Sequence, residues 1–328
     1  MFGLTKPKIS VCIPVFGTEP LLAECLQSVA EQDFDSASAP GAAEIIVVND
    51  ASRGRDSEGK TCRQIVKAFQ KQSPFKVTYI EHPKNLGLLE ARRSAVYAAK
   101  GKYIACVDSD DKLLPGALKT LYDVAELNGA DIVHGSSSTN SNKPRNNKIY
   151  IGELQGKQIL EQWLTKSAYN DALWGKLIDR ELYLEALDKI PQMYCNMAED
   201  IVQWFFIAMN AKKYVGITNL VYFYNAGSGM TVRHIISNKD DLQGIVSAAS
   251  VFTAIHQWLQ GEADRTGKLA ISGAELAAVR QFSHHYIKNN LLQVRECVVP
   301  ELQAEARKLL CEYWGQDFVE KTEKEMNK

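Results

Sequence analysis

One run of the sequence, Tyr103-Ile-Ala-Cys-Val107, constrains the fold more than any other. It is continuously apolar and starts after Gly101, which reads as a strand covered on both faces, the signature of a parallel sheet. The run stops at three carboxylates, Asp108, Asp110 and Asp111, and Pro115 then suits the first turn of a helix. In open α/β sheets ligands sit beyond the carboxyl ends of the strands. Carboxylates crowded there repel unless a cation or donor lies among them, and Mg²⁺-like ions take one or two carboxylates plus substrate phosphates. An acidic cap on the next helix accounts for the same residues without any chemistry.

The rest of the first half repeats this grammar. Ile9 to Val15 reads as the first strand, and Thr18 as the cap of a helix over 19–32. A second buried strand, 44–48, ends in Asn49-Asp50-Ala51-Ser52, followed by a helix through about Gln70. A third strand, 77–81, runs into His82-Pro-Lys-Asn85-Leu-Gly87 and a helix over 88–100 that carries Arg92 and Arg93. Strand alternating with helix predicts right-handed βαβ units and a mostly parallel sheet flanked by helices. No Gly-x-Gly-x-x-Gly follows the first strand and no Walker A loop is present, so neither a dinucleotide fold nor a P-loop NTPase is supported.

Further on, the pattern predicts a helix over 115–128, a strand over 131–134 and a polar loop over 135–147. Less regular elements follow: helices over 155–165, from Arg180, and over 201–209 behind Ala198-Glu199-Asp200, then a strand over 220–224. Beyond Ser237 only helices are expected, over 240–260, 274–294 and 300–315.

Composition narrows the function class. Lys and Arg total 38 against 39 Asp and Glu, so no bulk charge favours nucleic acid, and any anion must be met by a local site. The seven cysteines are scattered, odd in number and without Cys-x-x-Cys spacing, which argues against a disulfide framework or a zinc site. With no signal-peptide-like start and no apolar run long enough to span a bilayer, the expectation is a cytoplasmic protein. Residues 237–328 would be a structural cap, with self-association or contact with the inner face of a membrane as the alternatives.

Six separated segments together resemble family 2 glycosyltransferases of the GT-A fold. They are Ile13-Pro-Val-Phe16, Ile46-Val-Val-Asn-Asp-Ala-Ser52, Asn85 to Arg92, Val107-Asp-Ser-Asp-Asp111, Trp174-Gly-Lys-Leu177 and Glu199-Asp200. The resemblance covers roughly residues 9–234. It implies a domain over 1–236, divided into a nucleotide-sugar half (1–111) and an acceptor half (112–236), with a helical extension over 237–328.

By position, the resemblance gives Pro14, Asp50, Asn85 and Glu19 to the nucleotide base and ribose, and Arg92 to the nucleotide and diphosphate. Asp108 and Asp110 match the family's Asp-x-Asp motif, with Asp110 as a direct ligand of Mn²⁺ or Mg²⁺. His234 stands where some relatives place another metal ligand. Asp200 matches the general base, with Glu199 beside it, and Trp174 and Lys176 border the acceptor pocket.

The implied activity is inverting transfer from a nucleotide-sugar, a UDP-sugar first, to a hydroxyl of a glycan or lipid-linked acceptor. Structural readings compete at each position: a helix-start carboxylate at Asp200, a solvated ion pair for Arg92 with Glu90, a core Trp at 174, and surface exposure for Arg93. Asn49 departs from the family, which usually carries an aspartate there. At the level of function the rivals are a nucleotidyltransferase, a catalytically silent nucleotide-sugar-binding module, and an adaptor acting through its helical tail. The first should show a basic Gly-rich loop after strand one, where this chain has Phe16-Gly-Thr-Glu-Pro20.

Overall fold

The computed structural model describes residues 6–33, 42–140, 148–227 and 235–327. The first half follows the predicted alternation closely. Strand β1 (Ile9–Val15) leads to helix α1 (Glu19–Ala30), β2 (Ala43–Asn49) to α2 (Cys62–Phe69), β3 (Lys76–Glu81) to α3 (Leu88–Ala98), and β4 (Tyr103–Cys106) ends at the aspartates. Every residue of β1, β2 and β4 is buried, which explains why these strands are mostly apolar rather than alternating; the buried Ser10 hydroxyl donates to Glu44 Oε1 at 2.7 Å.

The second half contains β5 (Lys112–Leu113), α4 (Ala117–Asn128), β6 (Ile132–Thr139), β7 (Gly152–Gln155), α5 (Lys157–Leu164), β8 (Lys176–Asp179), α6 (Arg180–Asp188), α7 (Glu199–Asn210) and β9 (Lys213–Tyr224). Pro115 is not in the first turn of the helix, as its position had suggested. The short strand β5 intervenes, and α4 starts only after Gly116, whose φ of 72° an L side chain would resist.

Among the described residues these strands make one nine-stranded sheet in the order β3-β2-β1-β4-β8-β6-β9-β5, with β7 also on β9. β3, β2, β1 and β4 are parallel neighbours. β8 lies antiparallel between β4 and β6, while β6 and β9 are again parallel. The carboxyl ends of β1, β2, β3 and β4 therefore share one edge. There sit Phe16–Thr18, Asn49–Ser52, His82–Gly87 and Asp108–Asp111.

Helices α8 (Lys239–Val246), α9 (Ala248–Thr266), α10 (Gly273–Cys297), α11 (Gln303–Trp314) and α12 (Gln316–Met326) complete the chain. They are not a detached unit. Val251, Phe252, Ile255 and Leu259 of α9 and Val279 of α10 share one apolar cluster with Trp204, Phe205 and Phe206 of α7. A second, smaller cluster joins Leu242, Ile287, Leu291, Leu310 and Val319 within the helical region. Fully burying an aliphatic side chain contributes about 1.5–3 kcal/mol, so the shared cluster binds the two regions firmly. Among the described residues no helix is long and apolar enough to cross a membrane.

Candidate active site

The acidic turn after β4 is held from two sides. Asp111 N–H donates to the Asp108 carbonyl at 3.0 Å, closing the turn. From α1, Thr18 Oγ1 pairs with Ser109 Oγ at 2.6 Å and Cys25 Sγ reaches the Asp108 carbonyl at 3.5 Å. From β9, the Tyr222 hydroxyl accepts from Asp108 N–H at 3.1 Å and donates to Asp111 Oδ2 at 2.8 Å, while Asn225 N–H donates to Asp111 Oδ1 at 2.7 Å. Sequence reasoning passed over Tyr222, whose only local signal is its place in a predicted strand.

Burial, and then the charges of Asp108 and Asp110, push the Asp111 carboxyl up to about 7. A hard cation would relieve that crowding, and the donor set of carboxylate oxygens suits Mg²⁺ or Mn²⁺. Among the described residues no group of three His, Cys, Asp or Glu is assembled as a ready cage. Asp110 and Asp108 would therefore supply one or two ligands, with phosphate oxygens of a donor completing the shell. His234 lies outside the described residues.

Arg92 is the centre of the arrangement. It sits on α3 and is 1% exposed. Its Nη2 donates to Asp108 Oδ1 at 2.8 Å, and its Nη1 donates to Glu199 Oε1 at 2.5 Å and Asp200 Oδ1 at 2.7 Å. One planar, permanently charged guanidinium thus gathers the first aspartate of the turn and both acids at the start of α7. The competing pairing with Glu90 belongs instead to Arg93. That residue is not on the surface: it is buried, and it donates to the carbonyls of Leu187, Ile190 and Pro191 as well as to Glu90.

Glu199 and Asp200 lie in the first turn of α7, where the helix dipole favours negative charge. The preceding residue, Ala198, has φ 65°, a left-handed conformation that an L side chain rarely adopts, at the cap of this helix. Burial, then the adjacent Asp200 charge, hold the Glu199 carboxyl well above the usual range. Glu199 is 6% exposed, whereas the side chain of Asp200 is 26% exposed and that of Asp108 likewise 26%. The pair therefore consists of an inner acid and an outer, solvent-facing carboxylate.

The residues expected around the nucleotide fall in different places. Pro14 is buried in β1, in register with Val48. Asp50 is 2% exposed and its oxygens are engaged: Oδ1 by His82 Nδ1 at 2.7 Å and Leu86 N–H at 2.9 Å, Oδ2 by Gly87 N–H at 2.9 Å. It pins the loop that enters α3. Asn85 is half-buried in that loop, its Oδ1 accepting from Gly87 N–H at 3.0 Å. Asn49, the departure from the family, bridges Tyr79 and the Ser52 N–H at 3.0 and 2.8 Å.

Glu19 is fully buried, and among the described residues neither of its carboxylate oxygens has a hydrogen-bond partner. The loop after β2 covers it so closely that a Cβ on Gly54 would stand 2.0 Å from Glu19 Oε2.

Trp174 and Lys176 are inside the protein rather than on an open rim. Trp174 is 5% exposed and stacks on Tyr222 and Tyr224, with ring centroids 4.8 and 5.6 Å away, beneath the acidic turn. Lys176 is 1% exposed; its Nζ donates to Asn170 Oδ1 at 3.0 Å and to the Ala172 carbonyl, and lies 4.7 Å from the Trp204 ring centre. Burial lowers its pKa to about 7.

Comparisons with known proteins point to one family. Residues 10–193, more than half of the chain, match the model of the family described as glycosyl transferase family 2. Glycosyltransferase GlyG of Streptococcus pneumoniae is 27% identical over 236 residues, covering 69% of this chain and 73% of GlyG. The poly(ribitol-phosphate) beta-glucosyltransferase of Bacillus spizizenii is 37% identical over 129 residues, 39% of this chain and 19% of that protein.

Among solved structures, S. aureus TarS 1-349 in complex with UDP-GlcNAc superposes with a TM-score of 0.57 at 17% identity, over 97% of this chain and 92% of that one. The mannosyltransferase PcManGT of Pyrobaculum calidifontis, in complex with GDP-Man and Mn²⁺, gives 0.55 at 16% identity, over 97% and 83%. Both structural likenesses extend through the helical region. With the matched family model covering the segments that carry Arg92, Asp108 and Asp110, the chain belongs to glycosyl transferase family 2 and is a glycosyltransferase.

Proposed function

We propose that this glycosyltransferase is metal-dependent and inverting, and that it moves a sugar from a UDP-sugar to a hydroxyl of a glycan or lipid-linked acceptor. The observation that carries the reading is the Arg92 bridge, which ties the acidic turn to the first turn of α7. Nucleotide and diphosphate would lie along the carboxyl edge of β1 to β4, among residues 1–111, with Pro14, Asp50, Asn85 and Glu19 shaping or supporting the nucleotide end. The acceptor would enter over residues 112–236. Complexes of TarS with UDP and UDP-GlcNAc support a uridine nucleotide, and the Mn²⁺ in PcManGT supports a cation.

When bound, a divalent cation would neutralise the charge that develops on the departing diphosphate. Asp110 and Asp108 would hold it. The acceptor oxygen forms a bond to the anomeric carbon as the bond from that carbon to the diphosphate oxygen breaks, with the electron pair leaving on the diphosphate. Asp200 takes the hydroxyl proton, which a single carboxylate can do. Glu199 is the more buried of the two acids, which leaves that task to Asp200, and Arg92 holds both acids in place. A single displacement inverts the anomeric centre.

The test is release of UDP or GDP from UDP-glucose, UDP-galactose, UDP-N-acetylglucosamine and GDP-mannose, with and without Mn²⁺. Release of UDP from one sugar, dependent on Mn²⁺ and absent in Asp110→Ala and Asp200→Asn, is the expected result. Binding of UDP-sugars with no release under any condition, even with glycan acceptors added, would favour a silent binding module instead.

A further inference from the structure

We infer that the helical region positions the catalytic carboxylates through Ser247, a side chain at the junction of α8 and α9; the inference rests on the reading of Asp200 as general base. Ser247 is 0% exposed. Its Oγ accepts from two successive backbone amides, Asn196 N–H at 3.1 Å and Met197 N–H at 3.3 Å, and donates to the Gly244 carbonyl at 2.6 Å. The Ser247 carbonyl also accepts from Cys195 Sγ at 3.9 Å. These contacts fall on the residues directly before Ala198, Glu199 and Asp200.

The clamped segment is fastened on its other side to α3, the helix that carries Arg92. Asn196 Oδ1 accepts from Leu88 N–H at 2.8 Å, and the Cys195 carbonyl accepts from Leu89 N–H at 3.2 Å. The approach is so close that a Cβ on Gly87 would stand 2.8 Å from the Cys195 nitrogen. A third support comes from α10, where the buried Asn290 accepts from Trp314 Nε1–H through Oδ1 at 3.0 Å and donates from Nδ2 to Met197 Sδ at 3.9 Å. Segment 195–197 is therefore a wedge between the helical region and α3.

Ala198 holds a left-handed conformation that no glycine eases, and such a conformation persists only where its surroundings enforce it. A hydroxyl that satisfies the amides of the two residues just upstream, Asn196 and Met197, is the enforcing contact. Among the described residues Ser247 makes no hydrogen bond to Asp200 or Arg92. It acts on the base through the backbone, as a positioning residue, and the helical region becomes part of the catalytic apparatus rather than a cap.

The experiment compares wild type, Ser247→Ala, Ser247→Cys and Asp200→Asn in the full chain. It reads donor affinity by calorimetry with UDP and Mn²⁺, and turnover by UDP release from the donor identified by the nucleotide-sugar panel. Ser247→Cys fills the site where Ala would leave it empty, and a thiol accepts hydrogen bonds poorly. Both Ser247 variants should lose about 10- to 100-fold in kcat, as expected for a displacement of about 1 Å at the reacting centre, while donor affinity stays within threefold.

Turnover within threefold of wild type in either folded variant would overturn the inference. So would a fall in kcat accompanied by an equal fall in donor affinity, because that marks general loosening. If Asp200→Asn turns over like wild type, the base reading itself fails. If Asp200→Asn is dead while both Ser247 variants are unimpaired, only the present inference fails.

Discussion

Arg92 Nη1 lies 2.7 Å from Asp200 Oδ1 across 108 positions of sequence, with the guanidinium 1% exposed and the Asp200 side chain 26% exposed. The same guanidinium holds Asp108 through its other terminal nitrogen. A buried cation in this position decides both how the acids are arranged and whether they can share a site at all.

Replacing Arg92 should accordingly do two things. Arg92→Met leaves Glu199 and Asp108 without their counter-charge, and removing one partner of a buried pair costs about 3–5 kcal/mol. Urea unfolding should report a loss of that order, and UDP release should disappear. Arg92→Lys should recover part of the stability and little of the activity, since an ammonium cannot span three carboxylates in a planar fork.

Glu199 and Asp200 should respond unequally to amide substitution. Glu199 is the inner acid, and Glu199→Gln still offers an amide oxygen to Arg92, so it should keep turnover within about tenfold of wild type. Asp200→Asn removes the proton acceptor and should cost about 10²- to 10⁴-fold. Steady-state UDP release on the two variants checks the order; equal losses would assign the proton transfer to the pair rather than to Asp200.

Lys176 predicts a pH dependence of stability. Its folded pKa of about 7 lies below the ordinary value of 10.5. Between those values the unfolded chain binds a proton that the folded chain does not, so stability should rise with pH through that window. The slope from this one group is about 1.4 kcal/mol per pH unit. Chemical unfolding at pH 7, 8, 9 and 10 should show the rise in wild type and lose this component in Lys176→Met.

Tyr222 ties Asp108 to Asp111 through a single hydroxyl. Tyr222→Phe keeps the stack on Trp174 but frees the turn, and loss of such an outer contact commonly weakens metal affinity about 10- to 100-fold. Mn²⁺ titration in the presence of UDP should show that weakening with little change in thermal midpoint.

The sequence exposes the parts of this molecule that local chemistry governs. β1, β2 and β4 are legible to within a residue because strands buried on both faces are largely apolar runs. β3, a half-buried edge strand, is legible because Val77 to Ile80 is bounded by charged residues. The acidic turn is legible because carboxylates cluster at a strand's end. β7 and β8 are four residues each, and β8 begins on a lysine, so neither carries an apolar pattern long enough to read. β9 begins at Lys213 rather than near Leu220, since its first residues follow α7 with only Ala211 and Lys212 between them.

Long-range partnerships are the harder part. Arg93 looks like a surface residue until Leu187, Ile190 and Pro191 supply carbonyls from more than ninety residues away. The neighbouring Arg92 shows the same limit, because the resemblance of the motifs implies a place near the nucleotide while only the fold reveals that it binds acids from two other segments. Ser247 has no local signal at all, since its partners are backbone amides of a distant loop.

The measurement that bears most directly on the account is calorimetric titration of UDP into wild type, Asp110→Ala and Asp200→Asn, with and without Mn²⁺. If the acidic turn is the donor site, wild type binds UDP far more tightly with Mn²⁺, Asp110→Ala loses that gain, and Asp200→Asn keeps it. UDP binding that is equally tight without the cation and in Asp110→Ala would contradict the account and place the nucleotide elsewhere.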